Sequence, residues 1–217
     1  KINCTLSDTH CGSDRAIFPR VITLPTLMAD DNERTLRYTN NQKKIYEHLM
    51  FCAKHIKSKY KDHQKIIIHN GDAIEGVHHR TIQLSAPMPE DHVLIHQQVM
   101  ETFLHEIGFS VKNGDELHYS SGTETHTGWT ESSIVRYFES YGAKFHDELK
   151  LKQYEKTLWF AHQWRNVGNG ANESSPINNG LKDMYYNSIK EGWQMPDITV
   201  GSHYHKAAVG SFSQNWK

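Results

Sequence analysis

The chain has 217 residues, in which 24 Lys and Arg are balanced by 25 Asp and Glu. This near-neutral charge excludes a strongly basic field for nucleic acid, although it leaves room for a local basic patch. No stretch has the length of a membrane span and no signal-peptide core is present, so we expect no membrane association. The length favours one domain over residues 1–217 with a substantial core.

The cysteines and the chain ends indicate the setting of the protein. Cys4, Cys11 and Cys52 form neither a CxxC motif nor an even set for disulfides, which predicts a reducing, cytoplasmic setting. Cys11 is interpreted as a small loop residue rather than a reactive thiol. Because the chain begins at Lys1 within a predicted strand, we expect the natural N-terminus to be trimmed. A predicted strand over 207–212 stops abruptly, which allows for a missing C-terminal part.

The spacing of apolar residues predicts strands that alternate with helices. The predicted strands are 2–7, 65–69, 116–120, 144–146, 149–154, 156–161 and 197–201. The predicted helices are 41–60, 90–107, 130–139 and 181–191. Two segments without a sustained period are predicted to lack regular structure, 11–38 and 166–180. Strands 149–154 and 156–161 form a predicted hairpin. The pattern indicates a layered α/β fold with mixed β-sheets flanked by helices.

Five of the predicted strands are followed directly by residues that can bind metal ions. The fragments are Ser7-Asp8-Thr9-His10, Asn70-Gly71-Asp72, Gly122-Thr123-Glu124-Thr125-His126, Ala161-His162 and Gly201-Ser202-His203-Tyr204-His205. In open α/β sheets, ligands bind where strands end. Because the chain has 16 histidines, a single histidine pair carries little weight. The joint placement of all five fragments predicts a metal-dependent phosphoester hydrolase.

The chemistry of phosphate esters explains why these residue types would be needed. An anionic phosphoryl group repels nucleophiles, and two cations about 3.5–4 Å apart offset that repulsion. A carboxylate that bridges two cations needs a stiff backbone position, which Asp72 has after Gly71 at the end of a strand. Histidine and aspartate ligands suit Mn²⁺, Fe or Zn²⁺, whereas the lack of cysteine ligands argues against a structural zinc site.

The five fragments resemble the calcineurin-like metallophosphoesterase family, in particular its phage and prophage members, over about residues 2–209. The resemblance implies an α/β metallophosphoesterase sandwich and hydrolysis by a hydroxide that bridges two divalent ions. Mn²⁺ is favoured, with Fe, Zn²⁺ or Ni²⁺ as alternatives. The resemblance further implies that the first ion is held by Asp8, His10, Asp72 and His205. The second ion would be held by Asp72, His162 and His203.

The third fragment departs from the family pattern of Gly-Asn-His followed by Asp or Glu. Thr123 occupies the position of the Asn, and its hydroxyl is a poorer ligand than an amide carbonyl. His126 lies two residues after the family histidine and is predicted as the catalytic acid for the leaving group or as a substitute ligand. Glu124 is a third candidate for this position, since an extra carboxylate would bind a cation well. Glu75 falls where the family often has an acidic residue, which implies a contact with a ligand histidine; a surface carboxylate is the alternative.

Several other side chains are candidates of lesser weight. His78 and His79 follow Asp72 and are candidates for binding the substrate phosphate, with an ordinary exposed loop as the alternative. His92 and His96 are interpreted as solvated residues on a helix face rather than as zinc ligands. Asn70 is interpreted as a turn residue. The tryptophans are interpreted mainly as core residues, with stacking on a nucleobase as the alternative, for Trp129, Trp164 and Trp193.

Three functions are compatible with these residues. The leading hypothesis is a phosphodiesterase, with nucleic acid or a nucleotide as a candidate substrate. A phosphomonoesterase acting on a small molecule or phosphoprotein would use the same residues. A metal-binding but inactive interaction module is the alternative from another class, because the third fragment is altered. The sequence gives no indication of the oligomeric state.

Overall fold

The protein has an α/β fold in a computed structural model that describes residues 1–25, 33–76, 83–124, 126 and 130–213. The strands are β1 (Ile2–Leu6), β2 (Val21–Leu24), β3 (Arg34–Arg37), β4 (Lys65–Asn70), β5 (Glu116–Ser120), β6 (Lys144–His146), β7 (Leu149–Gln153), β8 (Lys156–Ala161) and β9 (Ile198–Gly201). The α-helices are α1 (Asn40–Lys59), α2 (Pro89–Ile107), α3 (Thr130–Ile134) and α4 (Ser175–Glu191). Short 3₁₀ helices cover Val111–Asn113, Val135–Tyr141 and Gly170–Asn172.

The first sheet is parallel and has the strand order β1-β4-β5-β6. All six residues of β4 are buried, as expected for a central strand covered on both faces. Because neighbouring strands run in the same direction, β1, β4 and β5 all end at one edge of the sheet. The loops that follow these strands, which contain three of the five fragments, therefore lie side by side.

The second sheet is mixed and has the order β7-β8-β9. β7 and β8 form an antiparallel hairpin, while β8 and β9 are parallel, with Ala161 opposite Gly201. This register brings the loops that begin at His162 and Ser202 next to each other. The hairpin turn consists of Tyr154 and Glu155, both with positive φ, as a two-residue turn of this kind requires.

Two apolar clusters hold the layers together. On one face of β4, Ile66 and Ile68 pack against the second sheet, through Leu149, Leu158 and Phe160. On the other face, Ile67 belongs to the larger cluster, which includes residues of α1 and α2. The two sheets are thus joined through opposite faces of a single central strand. In the described part of the chain, none of the helices is both long enough and apolar enough to cross a bilayer.

Most predicted elements are confirmed, and helix α1 shows why. Its apolar residues recur every three to four positions, and Thr39 caps its first turn through a reciprocal pair of hydrogen bonds with Gln42. Helix α2 begins at Pro89 and ends at Gly108, which has a φ of 69°. The strands agree with the prediction to within two residues at each end, and the predicted hairpin is present.

Four predictions of secondary structure were wrong. The segment 11–38 contains the antiparallel pair β2–β3, whose strands are too short for a clear period. The helix predicted over 130–139 is α3 followed by a 3₁₀ helix, because Phe138 leaves the helical region of φ and ψ. Helix α4 begins at Ser175, inside the predicted loop 166–180, and Pro176 fits its first turn. Residues 207–212 do not form a strand.

The environments predicted for four residues also need correction. His92 and His96 are completely buried rather than solvated. Nε2 of His92 lies 2.7 Å from the Ala86 carbonyl oxygen, and Nε2 of His96 lies 3.1 Å from the Tyr119 hydroxyl. Asn70 is not a turn residue but the buried last residue of β4, and its amide contacts Ser120 and Ser202. Cys11 is a buried residue in a short bridge with Ile74, and burial raises the pKa of its thiol to about 12.

Candidate metal centre

The predicted ligands come from four loops at the ends of β1, β4, β8 and β9. Two backbone hydrogen bonds join the first two loops: the Asp8 amide donates to the Gly71 carbonyl at 3.0 Å, and the His10 amide donates to the Asp72 carbonyl at 3.1 Å. The Ser202 amide donates to the His162 carbonyl at 2.9 Å and joins the other two. The backbone therefore fixes the positions of the ligands in pairs.

The first group of potential ligand atoms consists of Asp8, His10 and His205. Nε2 of His205 lies 3.2 Å from Oδ1 of Asp8 and 3.3 Å from Nε2 of His10. Nε2 of His10 lies 3.9 Å from Oδ1 of Asp8. Separations of this size are those expected for atoms bound to one ion, given metal–ligand bonds of about 2.0–2.2 Å.

The second group consists of Asp8, Asp72, His162 and His203. Oδ2 of Asp72 lies 3.0 Å from Nε2 of His162 and 3.9 Å from Nδ1 of His203. A third group, with His10, Asp72 and His126, overlaps both. Asp8, His10 and Asp72 thus each belong to two groups, whereas the sequence predicted a shared role for Asp72 alone.

His162 provides a direct test of whether these side chains fit a cation. Its Nδ1 lies 2.7 Å from the carbonyl oxygen of Asn70, which can only accept, so Nδ1 carries the hydrogen. In the neutral ring, Nε2 then carries a lone pair and no hydrogen. This buried nitrogen nevertheless lies 3.0 Å from Oδ2 of Asp72. Two electron-pair donors so close require a proton or a metal ion between them. The buried Asp and His side chains can therefore hold a metal ion.

Gly71 leaves room for this arrangement. It has a φ of 84°, and a Cβ built on it would lie 2.5 Å from Nδ1 of His162. A larger residue would thus be strained and would displace the imidazole. Similarly, a Cβ on Gly122 would meet the backbone and carboxylate of Asp72. Gly71 and Gly122 are therefore both required by close approach to a ligand.

Glu75 orients His10. Its Oε2 lies 3.0 Å from Nδ1 of His10, so that Nε2 of His10 points to the other ligands. Burial lowers the pKa of His10, but the hydrogen bond with Glu75 and the nearby Asp72 carboxylate outweigh it and raise the pKa. A carboxylate that holds a histidine in this way increases its basicity as a ligand. Glu75 is therefore not a surface carboxylate, which was the alternative considered from the sequence.

Thr123 contacts the Asp72 carboxylate rather than standing apart as an independent ligand. Its backbone amide donates to Oδ1 of Asp72 at 2.7 Å, and its hydroxyl donates to the same oxygen at 3.0 Å. Burial would raise the pKa of Asp72, but His162, the Thr123 amide and His10 together hold it well below its ordinary value. Asp72 is therefore an anion whose Oδ1 is fixed by Thr123 while Oδ2 faces the histidines.

The structure separates the two remaining candidates of the third fragment. His126 belongs to the third ligand group, and its Nδ1 donates to the Glu75 carbonyl at 3.1 Å, which leaves Nε2 as a lone pair. Burial lowers the pKa of His126, which favours the neutral ring. These observations favour a ligand over an acid. Glu124, by contrast, is exposed and belongs to none of the three groups found among the described residues.

The backbone of the ligand loops has an unusual conformation. Within the described ranges, seven residues other than glycine have a positive φ, and five of them are predicted ligands: Asp8, His10, Asp72, His203 and His205. Each such residue costs about 1–3 kcal/mol and persists only where the surroundings enforce it. The two others form the β7–β8 turn. Backbone strain is thus concentrated at the candidate site.

Sequence reasoning missed Glu131 of helix α3. Its carboxylate is buried and accepts the Ala73 amide at 2.9 Å through Oε1 and the Gly122 amide through Oε2. Burial raises the pKa of Glu131 to about 7. Glu131 lies shortly after the third fragment, in the first turn of the predicted helix. An acidic residue so close to that fragment could have indicated a role in the site. Glu131 ties the Asp72 loop to the Gly122 loop.

Three predicted residues, His78, His79 and Trp129, lie outside the described residues. Comparisons of the sequence with protein-family models and with curated proteins give no match. What can be said of function therefore depends on the residues and their geometry.

Proposed function

We propose that the protein is a metal-dependent phosphoester hydrolase with the dinuclear centre of a calcineurin-like metallophosphoesterase, acting on phosphodiesters. The observation that carries the proposal is the overlap of ligand groups. Asp8, His10 and Asp72 each belong to two groups of potential ligands, and two of these three are carboxylates, the residue type that could contact two ions at once. The proposed first site uses Asp8, His10 and His205 together with the shared Asp72, and His126 is a further candidate ligand. The proposed second site uses Asp72, His162 and His203.

The charge of the site supports the need for cations. The carboxylates of Asp8, Asp72 and Glu75 all lie within 4.0 Å of a ring nitrogen of His10. A phosphate anion at this site would therefore meet several carboxylates. Divalent cations, when bound, neutralise the phosphoryl oxygens and lower the pKa of water so that it can attack phosphorus. The protein's part is to hold the ligands: Glu75 orients His10, Thr123 orients Asp72 and the Asn70 carbonyl orients His162.

The space around the centre favours a diester over a monoester. A groove of about 760 Å³ runs from the ligands along β1 and α1, and a second groove of about 1080 Å³ runs towards α4. Ser7, Asp8 and His205 line both grooves, so the two meet at the centre. A diester carries a substituent on each side of its phosphorus, and the two grooves provide room for both.

Hydrolysis of bis(p-nitrophenyl) phosphate and of p-nitrophenyl phosphate, each with Mn²⁺ or with EDTA, tests the proposal. We expect Mn²⁺-dependent release of nitrophenol that is faster from the diester. Asp72→Asn should lower the rate by orders of magnitude while the fold is kept, because it removes charge without changing volume. Asp62→Asn is the matched control, since Asp62 is exposed and lies at the opposite end of β4.

The outcomes separate the three functions. Faster hydrolysis of the monoester would indicate a phosphomonoesterase. Stoichiometric Mn²⁺ binding without hydrolysis of either compound would indicate an inactive metal-binding module. Wild-type rates for Asp72→Asn at full metal occupancy would refute the metal assignment.

A further inference from the structure

A cavity of about 350 Å³ lies between the second sheet and helix α4. Three indoles line it, from Trp159, Trp164 and Trp193. None of the three is buried, and Trp193 is 38% exposed. Indoles that merely filled a core would be covered by other side chains. These instead leave their faces around an open space whose volume is in the range of small-molecule sites.

Two cations accompany the indoles. Arg165 and Lys150 also line the cavity, and Nζ of Lys150 lies 6.0 Å from the centre of the Trp159 ring. Arg165 lies across helix α4 at Gly180, where a Cβ would come within 2.6 Å of its side chain. A glycine inside a helix costs about 1 kcal/mol relative to alanine. At position 180 this glycine is what leaves room for the Arg165 side chain in the wall of the cavity. The cavity thus combines aromatic side chains with two cations, of which Arg165 is also paired with Asp183 at 3.4 Å.

The cavity opens towards the metal centre. Trp164, Arg165 and Pro196 line both this cavity and the groove that reaches Asp8 and His205. Trp164 is two residues after His162, and its Cβ lies near Gly201, which precedes the His203 loop. A molecule with an aromatic part in the cavity could therefore extend an anionic part along the groove to the ligands.

We propose that the indole cavity binds the purine or pyrimidine base of a nucleotide whose phosphate lies at the metal centre. The placement of the phosphate rests on the proposed function. Every nucleobase presents a flat π-face that stacks on indole rings. Arg165, which lines both the cavity and the groove to the ligands, complements the negative charge of a nucleotide. The side-chain amide of Asn187, also in the wall, offers a donor and an acceptor to a base edge.

The binding step is tested in metal-free protein, with EDTA present, by quenching of tryptophan fluorescence. AMP should quench saturably, and ribose 5-phosphate, which has the same phosphate without a base, should not. Trp164→Leu should weaken AMP binding by about 10-fold, the effect typical of one lost stacking contact. Trp193→Leu should act in the same direction, and its exposed side chain makes it the safer variant for folding. Tyr154→Leu is the control, since Tyr154 lies on the exposed β7–β8 turn.

A second measurement connects the cavity to catalysis. In the Mn²⁺-loaded protein, Trp193→Leu should raise KM for a nucleoside 5′-(p-nitrophenyl) phosphate about 10-fold more than KM for methyl p-nitrophenyl phosphate. Equal quenching by AMP and ribose 5-phosphate, or wild-type AMP affinity in both tryptophan variants, would overturn the inference. Because the EDTA experiment involves no hydrolysis, AMP-specific quenching in a protein without diesterase activity would refute the proposed function alone. Diesterase activity without AMP-specific quenching would refute only the base site.

Discussion

The role of His126 can be argued from its hydrogen bond alone. His126 belongs to the ligand group with His10 and Asp72, and its Nδ1 donates to the Glu75 carbonyl, which in the neutral ring leaves no hydrogen on Nε2. An acid would need a proton on that atom, whereas burial lowers the pKa of the ring. Nothing in the sequence could distinguish the two roles, because both require only that a histidine lie near the centre.

We therefore expect His126→Ala to weaken metal binding and to slow all substrates alike. Rates for an alkyl phosphodiester and for a nitrophenyl diester should both fall, because lost metal affects every leaving group. An acid would matter for the alkyl leaving group alone, with a loss of roughly 10²-fold or more. Steady-state rates with both substrates at several Mn²⁺ concentrations decide the matter. A defect confined to the alkyl ester, with unchanged metal affinity, would restore His126 as the acid.

The corrected histidines show where reasoning at the level of single residues fails. His92 and His96 were predicted to be exposed because histidine is usually polar surface and their spacing fits a helix face. Instead, His96 is buried, and its Nε2 lies 3.1 Å from the hydroxyl of Tyr119, a residue of β5. A buried polar group is tolerated once it is hydrogen-bonded. That partner comes from another element, which the local pattern does not reveal.

At the scale of elements, the strand ends were predictable and the connections between them were not. A strand such as β4 is recognised from its own apolar run, and a ligand such as Asp72 follows it in sequence. The start of α4 was missed because Asn, Gly and Ser in 166–180 resemble a loop, although the helix can begin at Ser175. Glu131 was missed because its partners lie outside its own helix. Ala73 is 58 residues earlier in the chain, and Gly122 belongs to the loop before α3.

Glu131 should matter for both stability and metal binding, because it joins the loops after β4 and β5. Glu131→Ala leaves two backbone amides, of the buried Ala73 and the half-buried Gly122, without their acceptor. We expect the free energy of unfolding of the metal-free protein to fall by about 2–6 kcal/mol, from 1–3 kcal/mol for each of the two unsatisfied groups. Urea unfolding with EDTA measures this change.

Two variants sharpen this experiment. Glu131→Gln keeps one good acceptor and should lose less stability than Glu131→Ala. Glu47→Ala, on the exposed face of α1, should leave both stability and Mn²⁺ affinity unchanged. We also expect Glu131→Ala to bind Mn²⁺ about 10-fold or more weakly, as for other residues that position metal ligands. A destabilised variant with native Mn²⁺ affinity would mean that the two loops are positioned without Glu131.

For the whole molecule, the buried histidine His96 predicts sensitivity to acid. Burial lowers the pKa of His96 to about 3, whereas in the unfolded chain it has an ordinary value near 6.5. Between these values the unfolded state binds the proton and the folded state does not, so stability falls as the pH falls. From pH 7.5 to pH 5.5 this one group should lower the free energy of unfolding by about 1.4 kcal/mol.

The difference between wild type and His96→Gln reports this effect, together with any change in the neighbouring His69, whose pKa is lowered by burial and by His96. His10 and His162 have raised pKa values in the folded protein and contribute in the opposite direction, but they do so equally in both proteins. Urea unfolding at the two pH values, with EDTA present, should show a smaller acid loss in His96→Gln by that amount. His55→Gln, at an exposed position of α1, should behave as wild type. An identical pH dependence for His96→Gln would mean that the pKa of His96 is the same in the folded and unfolded states.

The candidate site also links the two sheets, which leads to a prediction about thermal stability. Asp8 and Asp72 follow strands of the first sheet, while His162 and His203 follow strands of the second. An ion bound by both sets binds the folded state alone, since the unfolded chain does not bring them together. At a concentration 100 times its Kd, each ion should add about 2.7 kcal/mol to the free energy of unfolding. For a chain of this size that corresponds to an increase in Tm of roughly 5–10 °C per ion.

Thermal unfolding with EDTA, and with increasing Mn²⁺, measures this increase. Asp72→Asn should abolish most of it, because the variant removes the carboxylate shared by two ligand groups. Asp62→Asn should retain it in full. The response to Mn²⁺ distinguishes a bound ion from a proton between His162 and Asp72, since only the ion makes Tm depend on metal concentration. A Tm that is the same in EDTA and in millimolar Mn²⁺ would show that the convergent side chains are held together by hydrogen bonds and protons alone.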